Sequence, residues 1–583
     1  MASSRLRVGS SRGMSHFGAL RSFVFMRNEA PDDSPSPSKR SRFRPRAAAA
    51  TALAAWLLSA CAVGPDFKRP PAPTVERYTE TPLPQTTASA TVAGGGAQRF
   101  ELGADLPAQW WTLFRSPSLN GLVEQALAHS PNIAAAQAAL RQAQENVLAA
   151  RGNFLPAFDG RGGVTRQKVS GAQFGSPGAG GALFTLYNAS VNVSYTLDLF
   201  GGVRRAYEAT QAQAEYQGFQ LEAAKLTLSS NVATAAIREA SLRAQIEATE
   251  AIVADQRRQL EVTRRQFELG GASQLEVLNQ QTLLSQTEAS LPALRKQLEQ
   301  NRDLLAVLLG RFPSEGITTR FALDELQLPE DLPLSLPSKL VEQRPDIRAQ
   351  EARVHQASAE IGVATANLLP QITLSGDFGD VSTRIGELLK SGSNVWSLGA
   401  GITQPLFHGG QLLHQRRAAV AAYDEALANY RSTVLQAFQE VADTLHALQA
   451  DAEALAAQER AEQAAARALS IARAQYQNGA ISYLALLDAQ RSEQQARINL
   501  IQARAARYAD TAALFQALGG GWWASARAAA MPDGIAGERS RPAMDGRAGA
   551  GSNRAGDAKD GEDTLSHRDD SASAPAAAAA GAE

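Results

Sequence analysis

The sequence predicts a fold of mixed α and transmembrane β, with each chain built as two structural repeats. Together the repeats give four β-strands and long coiled-coil-like helices. Three observations predict this. Every seventh position between 420 and 476 is apolar except Glu462, short motifs recur at nearly constant spacing along the chain, and the stretches between helices alternate with a period of two.

The chain opens with an address. A basic run, Lys39 to Arg46, precedes an apolar run, 47–58, and then Leu58-Ser59-Ala60-Cys61. Basic, apolar, then small residues is a signal-peptide pattern. Its ending at the chain's single Cys resembles a bacterial lipobox, which implies cleavage before Cys61 and lipidation of that residue. Ala62 stands where Asp would favour inner-membrane retention, which points to the outer membrane. Residues 1–38 exceed what a signal needs, and Met26 is a candidate start. Rich in Pro, Thr, Ala and Gly, the stretch 64–96 reads as an extended tether.

Self-comparison organises the rest. Ser130-Pro131-Asn132-Ile133 matches Arg344-Pro345-Asp346-Ile347, and Leu155-Pro156 matches Leu369-Pro370. Phe200-Gly201-Gly202 resembles Phe407-His408-Gly409-Gly410. Phe267 and Gly270 match Tyr476 and Gly479, and Leu275, Leu278 and Gln281 match Leu484, Leu487 and Gln490, all at an offset of 209 (484 − 275). Each copy reads helix, strand pair, long helix, turn, helix. The helices are expected at about 118–153, 203–268 and 272–309, then 338–367, 410–477 and 481–518.

The long helices carry seven-residue series. One runs Val420, Leu427, Val434, Val441, Leu448, Leu455, Glu462, Leu469 and Tyr476; the other includes Val232, Ile246, Val253, Leu260 and Phe267. Such series say a helix packed in a coiled-coil seam. A helix over 411–477 would be about 100 Å long, the reach of a spanning rod. Asn478-Gly479 is a tight-turn signal that folds the second pair into a hairpin.

Strands are expected at about 157–167, 186–199, 371–379 and 395–405. Tyr187, Val191, Val193, Tyr195 and Leu197 alternate with Asn188, Asn192, Ser194 and Thr196; Trp396, Leu398 and Ile402 alternate with Ser397, Gly401 and Thr403. The first stretch is weakest, with Gly at apolar positions. One apolar and one small-polar face suits a membrane barrel, and also a half-buried soluble sheet. Four strands cannot close a barrel, and an open edge is not tolerated in lipid. A cyclic assembly of copies follows, with dimer and trimer equally allowed. The domains expected are an N-terminal extension and signal (1–60), a lipidated Pro-rich tether (61–108), repeat one (109–312), a linker or equatorial segment (313–337), repeat two (338–523) and a disordered tail (524–583).

Several classes are excluded by composition. Lys plus Arg number 57 and Asp plus Glu 58, for a formal net charge of −1, so there is no nucleic-acid footprint. A lone Cys allows neither an internal disulfide nor a Cys-based metal cluster. His408 and His414 lack metal-ligand spacing and read as structural. No phosphate-binding loop, dinucleotide fingerprint or nucleophile elbow occurs, so neither an enzyme nor a cofactor is expected.

The motifs together carry a resemblance. The lipobox followed by Val63-Gly64-Pro65-Asp66-Phe67, then Trp110-Trp111-Thr112-Leu113-Phe114, the doubled Leu-Pro and Phe-Gly-Gly elements, Tyr476 with Gly479, Leu486-Leu487-Asp488-Ala489-Gln490-Arg491 and Ala517-Leu518-Gly519-Gly520-Gly521-Trp522 resemble a TolC-like outer-membrane factor. In particular they resemble the lipoprotein (NodT-type) branch that serves resistance-nodulation-division efflux systems, over roughly 61–523. The resemblance implies a homotrimeric α/β-barrel channel, a passive gated duct that exports drugs or other toxic small molecules. It implies three partners: a periplasmic adaptor (membrane fusion) protein, an inner-membrane resistance-nodulation-division transporter and outer-membrane lipid.

Spacing puts Leu484, Asp488 and Arg491 on one helix face, which by itself also fits an ordinary surface ion pair. The resemblance assigns Tyr476, Leu484, Asp488 and Arg491 to a periplasmic gate. The turns, with Phe267, Gly270, Tyr476 and Gly479, are expected to contact the adaptor. A type I protein-secretion channel and a lipid-anchored periplasmic coiled-coil scaffold are the alternatives.

Overall fold

The computed structural model describes residues 62–170 and 181–524. The expected signal, Cys61, the centre of the first strand hairpin and the tail from 525 onward lie outside the described residues. In chain order the elements are β1 (Arg99–Leu102), α1 (Pro117–His129), α2 (Pro131–Gly152), β2 (Ala157–Val169), β3 (Ala182–Leu197), α3 (Gly202–Glu268) and α4 (Gln274–Leu308). There follow β4 (Asp331–Leu334), α5 (Pro337–Gln343), α6 (Pro345–Ala366), β5 (Gln371–Ser382), β6 (Asn394–Thr403), α7 (Gln411–Gln477) and α8 (Tyr483–Ala517).

The two copies match in length. α3 and α7 have 67 residues each, α4 and α8 have 35 each, and α2 and α6 have 22 each. A 67-residue helix runs about 100 Å at about 1.5 Å per residue. On α7 the seven-residue series is buried where a neighbour covers it: Val441, Leu448 and Leu455 are fully buried, with Val434 and Leu469 nearly so. Tyr430, Ala437, Leu445 and Ala452 complete the seam. Val420, near the strands, is exposed, so its face of α7 lacks a partner among the described residues.

Two helices expected as single pieces are broken. The first breaks at Ser130, with ψ 124°, and the other at Arg344, with ψ 125°. Each precedes a Pro. The proline ring drives the preceding residue out of helical geometry, then starts the next helix at a position that needs no N–H. The repeated Pro that revealed the duplication is also the break.

The four long strands form one antiparallel sheet in the order β2-β3-β5-β6. Its register brings all four apolar sets to one face. Phe158 opposes Val193, Val164 opposes Tyr187, Val191 opposes Phe378, Tyr195 opposes Leu374, and Phe378 opposes Trp396. The other face carries Asp159, Asn192, Asp377 and Ser397 in one tier, where the Asn192 amide donates to Asp377 at 2.7 Å. Neither face is covered by other described residues along β6, where every residue is exposed: Leu398 (84%) and Trp396 (74%) on the apolar face and Ser397 on the polar one. β2 and β6 are edge strands with unpaired outer sides.

The stretch expected as a free tether is docked on the body. The Val63 N–H donates to the Phe200 carbonyl at 2.9 Å, Asp66 pairs with Arg205 at 2.6 Å, Phe67 stacks on His355, and Arg69 pairs with Glu351 at 2.8 Å. Farther on, β1 pairs in parallel with β4 to form a second, two-stranded sheet at the waist of the molecule. Buried Arg507 on α8 holds this segment through Thr87 Oγ1 at 3.0 Å and the Gly96 carbonyl at 2.7 Å. Glu459 on α7 accepts from Thr91. Pro-rich composition predicted an extended backbone; paired side chains fix where it lies. The waist core is aromatic, with Trp110, Phe114, Tyr508 and Phe515 in mutual contact.

Candidate functional site

The end of the rods farthest from the sheet is built from two hairpin turns. α7 ends at Gln477 because Gly479 takes φ +70°; the Ala480 N–H then returns to the Gln475 carbonyl at 2.8 Å. Ser482 caps α8 through the Ala485 N–H. The first copy is built alike, with Gly270 at φ +77° and Ser273 forming a reciprocal cap with Glu276. No atom lies within 4 Å of a Cβ built at either glycine. The glycines therefore serve the left-handed backbone and leave the turn surfaces open. Phe267 is 45% and Leu269 87% exposed on the first turn.

Three of the four expected gate residues share a face. Leu484, Asp488 and Arg491 are exposed along one side of α8 and span about 10 Å. Among the described residues Asp488 and Arg491 make no ion pair with each other, so the ordinary surface pair is not formed. Tyr476 is placed elsewhere. It is half-buried between the hairpins, its ring 5.6 Å from that of Tyr483.

Tyr483 is a residue that the sequence reading missed. Its hydroxyl, buried, donates to Gln280 Oε1 on α4 at 2.6 Å, and Gln280 Nε2 donates to the Gln256 carbonyl on α3. This chain of bonds ties the second hairpin to the first. Burial raises the Tyr483 phenol well above its ordinary range, with Tyr476 and Glu276 adding to the effect, so it stays a donor at any physiological pH. A signal existed: Gln280, Thr287 and Asn301 lie at multiples of seven and are all buried. Polar residues recurring in a coiled-coil seam mark a register lock.

A rod of helices about 100 Å long, a two-faced sheet with open edges and an exposed row of Leu484, Asp488 and Arg491 beside the turns fit a channel that crosses an outer membrane and reaches into the periplasm. The comparisons agree. Residues 122–311 and 336–520 match the family described as Outer membrane efflux protein, and the chain belongs to it. It is 32% identical over 453 residues to the pyoverdine export outer membrane protein OpmQ of Pseudomonas putida, covering 76% of this chain and 95% of that one. The toluene efflux pump outer membrane protein TtgC of Pseudomonas putida is 31% identical over 475 residues, covering 81% and 95%. Among solved structures, the outer-membrane channel OprN superposes with a TM-score of 0.70 at 28% identity, over 79% of this chain and 100% of that one. The protein is thus an outer-membrane channel component of an efflux system, in a family of channels that act with adaptors and inner-membrane transporters.

Proposed function

We propose that three copies close into one channel. The observation that carries this is the β2-β3-β5-β6 sheet, with an apolar face, a polar face and two unpaired edges. In lipid those edges must be paired, and β6 of one copy against β2 of the next pairs them. Three four-stranded sheets give twelve strands (3 × 4), with the Asp159–Asn192–Asp377 tier facing the lumen. The uncovered face of α7 at Val420 then packs on the neighbouring copy.

The duct is passive and gated. Rings of Leu484, Asp488 and Arg491 close its periplasmic end, and Tyr476 seats the second hairpin against the first. The turns at Phe267, Gly270, Tyr476 and Gly479 receive a periplasmic adaptor that joins the duct to a resistance-nodulation-division transporter. Cys61 carries lipid. Support comes from the neighbouring Val63, bonded to Phe200 at the strand–helix junction, which on the barrel reading lies at the periplasmic edge of the membrane. Relatives are named for cargoes as unlike as pyoverdine and toluene. Substrate choice accordingly lies upstream, and drugs or other toxic small molecules pass through. Light scattering on the detergent-purified protein tests closure: a mass of three chains is expected. Two chains would give an eight-stranded barrel and refute the trimer, and one chain would refute closure between copies.

A further inference from the structure

The outer end of the sheet carries charge on the side that faces lipid. Directly opposed residues in an antiparallel pair share a face, so Arg166 (opposite Thr185) and Lys168 (opposite Leu183) lie on the same face as Phe158, Val164, Tyr187 and Val191. Tyr195 and Tyr187 on that face stand about 27 Å apart along β3 at about 3.4 Å per residue. That matches a lipid-facing band of about 25 Å bounded by aromatic girdles. Arg166 and Lys168 come next beyond the Tyr187 girdle, away from the helices and so on the external side. Both are exposed, at about 7 Å spacing along one strand face.

The hairpin offers them no counter-ion. From 160 to 197 the chain contains Arg161, Arg166 and Lys168 and no Asp or Glu. The one carboxylate among the strands that shares this face, Asp380, stands opposite Ala189. Two cations above an apolar band sit at headgroup depth, with stems long enough to snorkel along the lipid surface. Arg forks bind phosphate oxygens in pairs, and Lys adds a point charge.

We propose that Arg166 and Lys168 form a docking surface for the phosphate groups of the phosphorylated glycolipid in the outer leaflet, fixing the depth of the barrel from outside. The proposal rests on the reading of the sheet as a membrane barrel.

The test uses the full-length assembly in detergent and lipid A as probe, bisphosphorylated or dephosphorylated, with retention read by native mass spectrometry. The wild type is expected to retain the bisphosphorylated form about 10-fold better, a preference lost in Arg166→Gln/Lys168→Gln. Arg161→Gln, on the lumen face, is expected to keep it. Equal retention of both probes by the wild type, or full preference in the double variant, would overturn the proposal. So would loss of preference in Arg161→Gln alone. Insertion of the same sample into planar bilayers separates the two readings: a conducting wild type without lipid preference refutes the surface only, and a wild type that never inserts refutes the barrel.

Discussion

The two hairpins at the periplasmic end share lengths, turn geometry and seam, yet differ in what they show to solvent. At the offset of 209, the row Leu484, Asp488 and Arg491 on α8 corresponds to Leu275, Asn279 and Thr282 on α4. The first copy is uncharged where the second carries a carboxylate and a guanidinium. The middles of the hairpins differ as well. Asp451, Arg507 and Asp510 in the second copy stand where the first has Leu242, Leu298 and Asn301. Leu242 and Leu298 are buried as plain seam residues, while Arg507 clasps the N-terminal segment. Duplication supplied a scaffold, and divergence of one copy supplied the Arg507 clasp and the charged row to which we assign the proposed gate.

Replacing the turn glycines breaks the comparison most severely. Gly479→Val forces a β-branched residue into left-handed backbone in otherwise open space, at a cost of roughly 1–2 kcal/mol. Because the tip is altered and the cores are not, assembly is expected to survive while efflux is lost. Minimum inhibitory concentrations, with oligomer mass as control, check this; normal resistance would remove the turn from the adaptor contact.

Next comes the tie between hairpins. Tyr483→Phe deletes the donor to buried Gln280 and leaves its oxygen unpaired, a local penalty of about 1–3 kcal/mol. Channel openings are expected to become several-fold more frequent in planar bilayers. The matching change in the first copy, Gln274→Ala, is expected to leave them unchanged. Equal effects would mean that the tie does not hold the gate hairpin.

The smallest effect concerns pH. Burial, a hydrogen bond with Asp510 and that residue's charge push the Asp451 carboxyl up to about 7, against the opposing pull of Arg507. A carboxyl raised in the fold binds its proton more tightly there than in the unfolded chain. Its stabilisation is complete below about pH 4 and is lost as pH rises through about 7. The wild type should therefore lose a few degrees of Tm between about pH 5 and about pH 8, and Asp451→Asn should flatten that slope. An unchanged slope in the variant would place the dependence in another group.

Periodicity made the duplication, the long helices and the two-faced strands legible, because each is written in residues close along the chain. What escaped depends on distant partners. β1 and β4 are four residues each, one containing Pro333, too short to alternate visibly. The docking of 62–98 hangs on Arg205, Glu351, Glu459 and Arg507, which come far later in the chain and whose side chains alone do not announce a partner. The faces of Leu484, Asp488 and Arg491 followed from helical spacing, whereas Tyr476 and Tyr483 took their places from a hairpin-to-hairpin contact that spacing within one helix cannot express.

The most direct test of a gate confined to the second hairpin is single-channel conductance in planar bilayers. It compares the wild type, Asp488→Ala/Arg491→Ala and the first-copy counterpart Asn279→Ala/Thr282→Ala, with oligomer mass from the same samples. The account predicts small, cation-favouring openings for the wild type and the first-copy variant, and openings several-fold larger with reduced cation preference for the second-copy variant. Equal conductance in all three, with the assembly intact, would contradict it.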